Sequence, residues 1–494
     1  LVLNFNYDLN EDLNLNFTLG NNVNQRSSRD KQYTGTQLIA PGIFTVENTQ
    51  NVISDFDNSS RRRLVGVFGD LGLSYKNYLF LNATARNDWS STLPKDNNSF
   101  IYPSVSSSIV FTDALKIGGN VLTYGKIRGG WANVGRDANA YQINKVFLVG
   151  DVFSGNPVVG LPATLGNPIL KPENTEEIEF GADLEFFNKR VVVDFTWYKK
   201  TTTDLISSVN VPWSTGYESL LTNIGKMENE GIEIGLSLVP IRTENFSWTT
   251  FTSFTKNKNI VRELIEGLER FPIDVNQVGY VQEGLPYGIF YGTAFARDDE
   301  GNYLINQGEG DVIQDLSSQV IGDPTPDFKI GFTNTFRYKS LSLRAQIDWK
   351  EGGDISSTTL AALLGRGVTR DTEDREGTFI IPGFLGDAST GLPLLDSSGQ
   401  KIPNSTQVTL NNLYFTPGNG STFGQNAVDE ASIYDGTVYR LREIALTYDV
   451  PKKFLEKTFI GSMTVSAIGN NLWYFAPNVP KYTNFDPDIT AYGS

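Results

Sequence analysis

Residues 63–89 read "RLVGVFGDLGLSYKNYLFLNATARNDW". Val65, Val67, Leu71, Leu73 and Tyr75 share one parity, with Gly69 among them; Gly66, Asp70, Gly72 and Ser74 share the other, with Phe68 the exception. Period two is the signature of a strand. Leu79, Leu81, Ala83 and Ala85 then alternate with Asn82, Thr84, Arg86 and Asp88. A one-residue slip would put every side chain on the wrong face. A three-residue turn of Lys76, Asn77 and Tyr78 pairs Tyr75 with Leu79 and keeps both apolar sets together. The stretch is therefore a hairpin with one oily and one polar surface, and what wets the oily surface decides the fold.

The same pattern recurs. Ile178, Phe180, Ala182, Leu184 and Phe186 oppose Glu177, Glu179, Asp183 and Glu185. Val191, Val193, Phe195 and Trp197 follow, then Ile232, Ile234, Leu236 and Leu238. Phe328, Ile330, Phe332, Phe336 and Tyr338 precede Leu341, Leu343, Ala345, Ile347 and Trp349. In all, about fourteen strands are expected, near 1–9, 12–25, 63–75, 79–89, 102–112, 122–134, 173–186, 191–205, 220–239, 246–258, 328–338, 341–350, 437–449 and 461–475. Most are at or above the ~9–11 residues that cross a bilayer at a tilt, whereas soluble strands usually have ~5–6. Short links alternate with long ones at about 26–62, 135–172, 259–327 and 351–436, as in an up-and-down barrel. Residues 287–306 add either no wall strand or two.

Composition removes several function classes. The 494 residues hold no cysteine and no histidine, which excludes disulfides, Ser-His-Asp chemistry and the usual zinc ligands. A net charge of −15 argues against a nucleic-acid partner. No apolar run approaches the ~18 residues of a spanning helix. A mean hydropathy of −0.24 suits a soluble protein and a transmembrane barrel alike, because half of each barrel strand is polar. Strand length, alternating links and aromatics near strand ends (Tyr75, Tyr78, Trp89, Trp197, Tyr338, Trp349) favour the barrel. The strand "YRLREIALTYDV" breaks the rule: Arg440 and Arg442 share parity with Ile444, Leu446 and Tyr448. Either these arginines lie above the membrane, or a bulge shifts the face between them.

Several long phrases, in order, carry a resemblance: "GDLGLSYKNYLFLNATARNDWSSTLP", "KIRGGWANVGRDAN", "LKPENTEEIEFGADLEFFNKRVVVDFTWYKKTTTDLI", "NIGKMENEGIEIGL", "IGDPTPDFKIGFTNTF" and "YDGTVYRLREIALTYDVPKKF". The chain resembles the barrel of the SusC/RagA group of TonB-dependent outer-membrane transporters of Bacteroidetes. The resemblance implies an all-β fold, a transmembrane antiparallel up-and-down β-barrel of about 22 strands, with residues 1–494 as its C-terminal part. The plug and the TonB-contacting segment would precede Leu1, and the long links would be extracellular. It further implies TonB-energised import of an oligosaccharide or peptide, with a SusD-like surface lipoprotein as lid and outer-membrane lipid around the wall. A passive porin or adhesin-type barrel without plug or lid is the alternative.

Neither an enzyme nor a cofactor is expected. Many relatives carry a calcium-type loop before "IGDPTPDF", but "GEGDVIQDLSSQ" lacks the D-x-[DN]-x-[DN]-G spacing, so no metal is expected either. The acidic pairs Glu176/Glu177 and Asp298/Asp299 stand without a supporting nucleophile or base. The inward acidic set is read as a solvated lumen face or as the partner of plug residues. The link 351–436, read as a structureless run, offers Arg370, Arg375, Tyr414 and Phe415 as substrate or lid contacts. An aromatic face can stack on a sugar ring, and an arginine can bind carboxylate or hydroxyl groups.

Overall fold

A computed structural model describes residues 1–273, 278–415, 422–423 and 427–487. Among these, fourteen strands form one antiparallel sheet in chain order, each paired to its sequence neighbours. They are β1 (Val2–Asn10), β2 (Leu13–Leu38), β3 (Thr49–Tyr75), β4 (Leu79–Ser90), β5 (Ser99–Val110), β6 (Leu122–Arg136) and β7 (Glu173–Phe186). Next come β8 (Val191–Thr203), β9 (Gly225–Arg242), β10 (Phe246–Leu264), β11 (Pro326–Tyr338), β12 (Leu341–Gly352), β13 (Val438–Asp449) and β14 (Thr464–Phe475). Sequential up-and-down pairing is the topology of an outer-membrane barrel wall. Contacts divide the chain into two compact units whose boundaries pass through β6, β7, β8 and β9: 1–114, 127–180 and 200–227, and 115–126, 181–199 and 228–494.

The opening hairpin has the register its pattern demands. Tyr75 pairs with Leu79, Leu73 with Leu81, Leu71 with Ala83 and Gly69 with Ala85. Lys76 and Asn77 take positive φ of 50° and 57° to close the turn. Residues directly opposite each other share a face, so the apolar sets merge into one band. From Tyr75 to Val65 that band runs ten residues, about 33 Å along the strand. At a barrel tilt of ~40° this is close to the ~25 Å apolar height of an outer-membrane wall.

Among the described residues no second layer covers the band. Val67, Phe180 and Leu343 remain 43%, 56% and 39% exposed, and Ile234 is half-buried. The fully buried side chains lie mostly in the connections: Phe290, Leu170, Ile224, Leu304, Ile305, Leu360 and Leu413. Such a wall is stable only if hydrocarbon wets its outer side. One polar side chain on the outward parity, Asn334, is bonded there: it accepts from the Trp248 indole N–H at 3.0 Å.

Two sequence readings change. The segment 26–62 is mostly ladder, because β2 and β3 pair from Leu13–Tyr75 up to Leu38–Thr49, with a register shift between Gln32 and Tyr33, and leave only 39–48 as the connection. Alternation fades in this upper ribbon because neither face is buried, so periodicity could not report the strands. The segment 351–436 is not structureless. It contains helices Thr358–Gly365 and Leu410–Phe415 and packs against 289–315. The strands within 287–306 are short and belong to small separate sheets, so this region adds no wall strand.

The arginine anomaly resolves as a bulge. Across β12–β13 the register shifts between Glu443–Gln346 and Leu441–Ile347, and across β13–β14 it shifts again between Leu441 and Glu443. Arg442 is the extra residue. Below it Ile444, Leu446 and Tyr448 pair with Ala345, Leu343 and Leu341 on the outer face; above it Leu441 and Tyr439 take over that face and Arg440 turns inward beside Asp348.

Leu71→Arg or Ala83→Arg, each at mid-band, should destabilise the folded wall by about 2–4 kcal/mol in a vesicle unfolding titration. The inward Asn82→Arg should change it by about 0.5 kcal/mol or less. Equal effects on the two faces would contradict the lipid-facing assignment.

Candidate functional site

The inward face of the wall is charged, and its charges cancel across neighbouring strands. Lys126 reaches Asp183 at 3.7 Å, Arg128 reaches Glu179 at 3.6 Å and Lys200 reaches Glu177 at 3.1 Å. Lys189 lies 3.5 Å from Glu185. The acidic set expected to be solvated or to await plug residues thus has basic partners on the adjacent strands and in the turn that follows its own. Parity placed the acids; only register shows that the bases stand opposite. Of the acidic pairs, Glu176 accepts from the Trp131 indole at 2.7 Å. Each such exposed or half-exposed ion pair contributes little alone, about 0–1 kcal/mol, but together they fix the polar lining.

In the first unit, β2 to β5 build a polar cluster that sequence reading missed. Arg86 Nε donates to the Tyr102 hydroxyl at 2.8 Å, and Arg86 Nη2 donates to Asn22 at 2.7 Å and lies 2.7 Å from Asp88. The Tyr102 hydroxyl in turn donates to Asp88. Gly66 lies beneath: a Cβ there would sit 2.1 Å from Arg86 Nη2 and 2.3 Å from Asp88 Oδ1. Phe68 closes on Gly20, where a Cβ would meet its ring at 2.3 Å. Phe68 was the exception to the alternation, and this glycine makes room for it. The cluster borders a cavity of about 560 Å³ lined by Phe68, Asp70, Thr84, Arg86, Tyr102 and Ser104. At the top of the same strands Asp137 accepts from Arg62 Nε at 2.8 Å, Ser90 at 2.5 Å and Thr92 at 2.8 Å, which ties β3, β4 and the exit of β6 together.

In the second unit, the bulged β13 brings Arg440 and Arg442 to the inward face. Arg442 Nε donates to Asp348 at 2.6 Å, and Arg440 pairs with Asp486 through its two terminal nitrogens. With Lys329, Gln346 and Lys350 they line a cavity of about 300 Å³. This second cavity presents fixed donors and acceptors, which suits hydroxyls, amides or carboxylates of a polar ligand, whereas the first is mainly apolar with the Arg86 cluster at its border. No cluster of three or more metal-ligating side chains occurs among the described residues.

The long connections of the second unit form a folded module. Phe295, Ile305, Val312, Ile381, Val408 and Leu413 pack as one core, and Ala296, Leu304 and Ile313 as another. Residues 304–306 pair in parallel with 384–386 and so join the two connections. Arg297 and the Phe295 amide both bond Glu430, and Asp429 accepts from the Thr293 amide and hydroxyl at 2.9 Å each. Asp298 is fully covered and accepts from the amides of Glu300 and Asn302 at 3.0 and 2.8 Å, while Lys401 bridges it and Asp299 at 2.9 and 2.5 Å. The Asp298/Asp299 pair is therefore a turn closed by backbone amides and a shared lysine.

Of the four predicted contact residues, the structure gathers three. Arg375 lies 4.3 Å over the Phe415 ring, and Phe415 tilts against Tyr414 at 6.2 Å. Tyr414 packs on the module core, and burial raises its hydroxyl pKa. Arg370 stands apart. It donates to Glu373 at 3.2 Å and stacks 5.1 Å over Tyr482, whose amide bonds Asp371.

Burial acts against ionisation of Asp298, but hydrogen bonds from Lys401, Asn302 and Glu300 prevail and hold its carboxyl well below the usual range. A depressed carboxylate stabilises the fold above its ordinary pKa of about 3.9 and loses that contribution as pH falls through the folded value. Hydrogen exchange at the Glu300 and Asn302 amides, corrected for intrinsic rates, should be flat from about pH 7 to pH 5 and quicken below about pH 4. Lys401→Met should quicken it at every pH.

Comparison with known proteins places the chain. A family model described as "TonB dependent receptor-like, beta-barrel" matches residues 2–384. TonB-dependent receptor P3 of Formosa agariphila is 26% identical over 95% of this chain and 47% of its own length. TonB-dependent receptor SusC of Bacteroides thetaiotaomicron is 27% identical over 59% of this chain and 32% of its own. The chain thus spans about half the length, or less, of the curated relatives it matches. Among solved structures, the RagAB peptide transporter superposes with a TM-score of 0.77 at 18% identity over 100% of this chain and 52% of that one, a likeness of fold. With the alternating wall, the register and the family match in agreement, the chain belongs to the TonB-dependent receptor-like β-barrel family.

Proposed function

We propose that the full protein imports a large nutrient, an oligosaccharide or a peptide, across the outer membrane of a Gram-negative bacterium of the Bacteroidetes. TonB energises the import, and a SusD-like surface lipoprotein acts as lid. The observation that carries this reading is the likeness to TonB-dependent receptors along 95% of the chain. The polar cavity lined by Lys329, Gln346, Arg440 and Arg442, whose donors and acceptors are already oriented by neighbours, supports a hydrophilic ligand. In this reading residues 1–494 are the C-terminal part of the barrel, the plug and TonB segment lie outside them, and the long connections face the exterior. The connection module then meets the ligand or lid through the exposed Arg370 and through the Arg375–Phe415 stack, with Tyr414 as the support beneath.

The test uses the full-length protein in its native membranes. Purification should recover a surface lipoprotein in near-equal amount, and uptake should stop when TonB is deleted or the proton gradient is collapsed. Repeated recovery of the barrel alone, with uptake that persists without TonB, would instead indicate a passive porin. Arg370→Ala should weaken capture of the lid or nutrient roughly tenfold, the scale of one charged hydrogen bond, without lowering barrel yield. Unchanged capture would remove that residue from the contact surface.

A further inference from the structure

The outward face of the β2–β3 ladder changes character at one rung. Up to Val65, which pairs with Trp89 on β4 and Val23 on β2, the outward positions of β2 to β4 carry no charge and are apolar apart from small residues and the asparagines Asn21 and Asn87 that flank Val67. The next outward pairs are Gln25–Arg63, Ser27–Arg61, Arg29–Ser59 and Lys31–Asp57. Four cations thus follow the aromatic rung within four outward pairs, with Asp57 as their one anion. In a chain of net charge −15 this is a local reversal of sign.

The partners inside the strip leave much of the charge available. Asp57 takes Arg29 in a bidentate contact, with Arg29 Nε at 2.7 Å, and Lys31 lies 3.2 Å away. The Arg63 guanidinium donates to the neutral amide oxygen of Gln25, at 3.1 and 2.7 Å, and meets no carboxylate among the described residues. Arg61 uses its backbone amide toward the Tyr141 hydroxyl, and no acceptor meets its guanidinium among the described residues. All four side chains are exposed. The second unit repeats the order independently. Outward Phe254 stacks on Phe328 at 5.9 Å, and Lys256 and Lys258 are the next outward residues on β10, both exposed.

We propose that Arg63, Arg61, Arg29 and Lys31 form a binding strip for phosphate-bearing headgroups of the lipid leaflet at the long-connection end. Three constraints converge on this occupant. The strip faces the lipid side, because its parity is that of Val65, Leu71 and Leu73. It begins one outward step, about 7 Å along the strand, beyond the last apolar rung, which is headgroup depth. Its free donors are guanidinium forks, which match phosphate in bidentate geometry. A protein ligand entering by the lumen would meet the opposite face. Long connections mark the outer side of such barrels, so the lipid is that of the outer leaflet. The strip anchors the base of the β2–β3 ribbon, which is otherwise a two-stranded structure with little stability of its own in water.

The test is native mass spectrometry of the full-length barrel in neutral detergent, with folding checked by heat modifiability on gels. A phosphorylated glycolipid, the same lipid after enzymatic dephosphorylation, and inorganic phosphate are each added. The wild type should retain the phosphorylated lipid about tenfold better than the dephosphorylated one, and Arg61→Gln/Arg63→Gln should lose that margin. Arg61→Lys/Arg63→Lys should keep part of it, which separates lost charge from altered folding. Equal retention of both lipids by the wild type, an unchanged margin in the glutamine variant, or inorganic phosphate holding as well as the lipid would each overturn the proposal.

Discussion

The wall depends on one constraint: its apolar face receives no cover from the protein itself. Hydrocarbon offers no hydrogen bonds, so each backbone amide and carbonyl in the band must be met by an adjacent strand. That requirement sets the register. Tyr75–Leu79 at the tight turn, Phe336–Leu343 and Leu446–Leu343 further along each keep apolar against apolar. It also explains the Arg442 bulge. Without the extra residue, β13 would carry Arg440 outward at the level of Trp349 and Tyr439; with it, the aromatic pair stacks at 5.4 Å and the guanidinium turns to Asp486.

The other face answers to the opposite rule. Water or a polar ligand can meet it, so charge is permitted, and charge is used to lock neighbouring strands. The ion pairs from Lys126–Asp183 to Arg442–Asp348 join strands that also share a ladder. Much of the lining is thus ion-paired before any ligand arrives, and selectivity falls to the clusters whose donors stay reachable from the cavities, such as Arg440 and Arg442 with the lysines beside them. The connection module follows ordinary globular physics. Its cores of Phe295, Ile305 and Leu413 are as dry as those of a small soluble domain, and buried pairs such as Asp298–Lys401 close its turns. One chain therefore works in two solvents, and the boundary between them is where the aromatic rung gives way to the arginine strip.

The number of wall strands, the faces of most of them, the tight turns and the places of the links at 135–172, 259–327 and 351–436 were legible in the sequence. Period two reports which solvent a side chain meets, and in the band both solvents are extreme. Legibility failed where that contrast fades. The upper β2–β3 ribbon has water on both sides, so its strands looked like a loop. The connections bury their core through contacts distant in sequence, such as 304–306 with 384–386, which no local pattern carries. Arg375, Tyr414 and Phe415 could be named as a set, but whether they faced a ligand or packed a core was undecided by residue type. What the sequence determined alone was the alternation, because it is a local response to solvent. What only the tertiary structure decided was register across strands, the side of the Arg440 bulge and the partner of each inward charge, because those depend on which residue stands opposite.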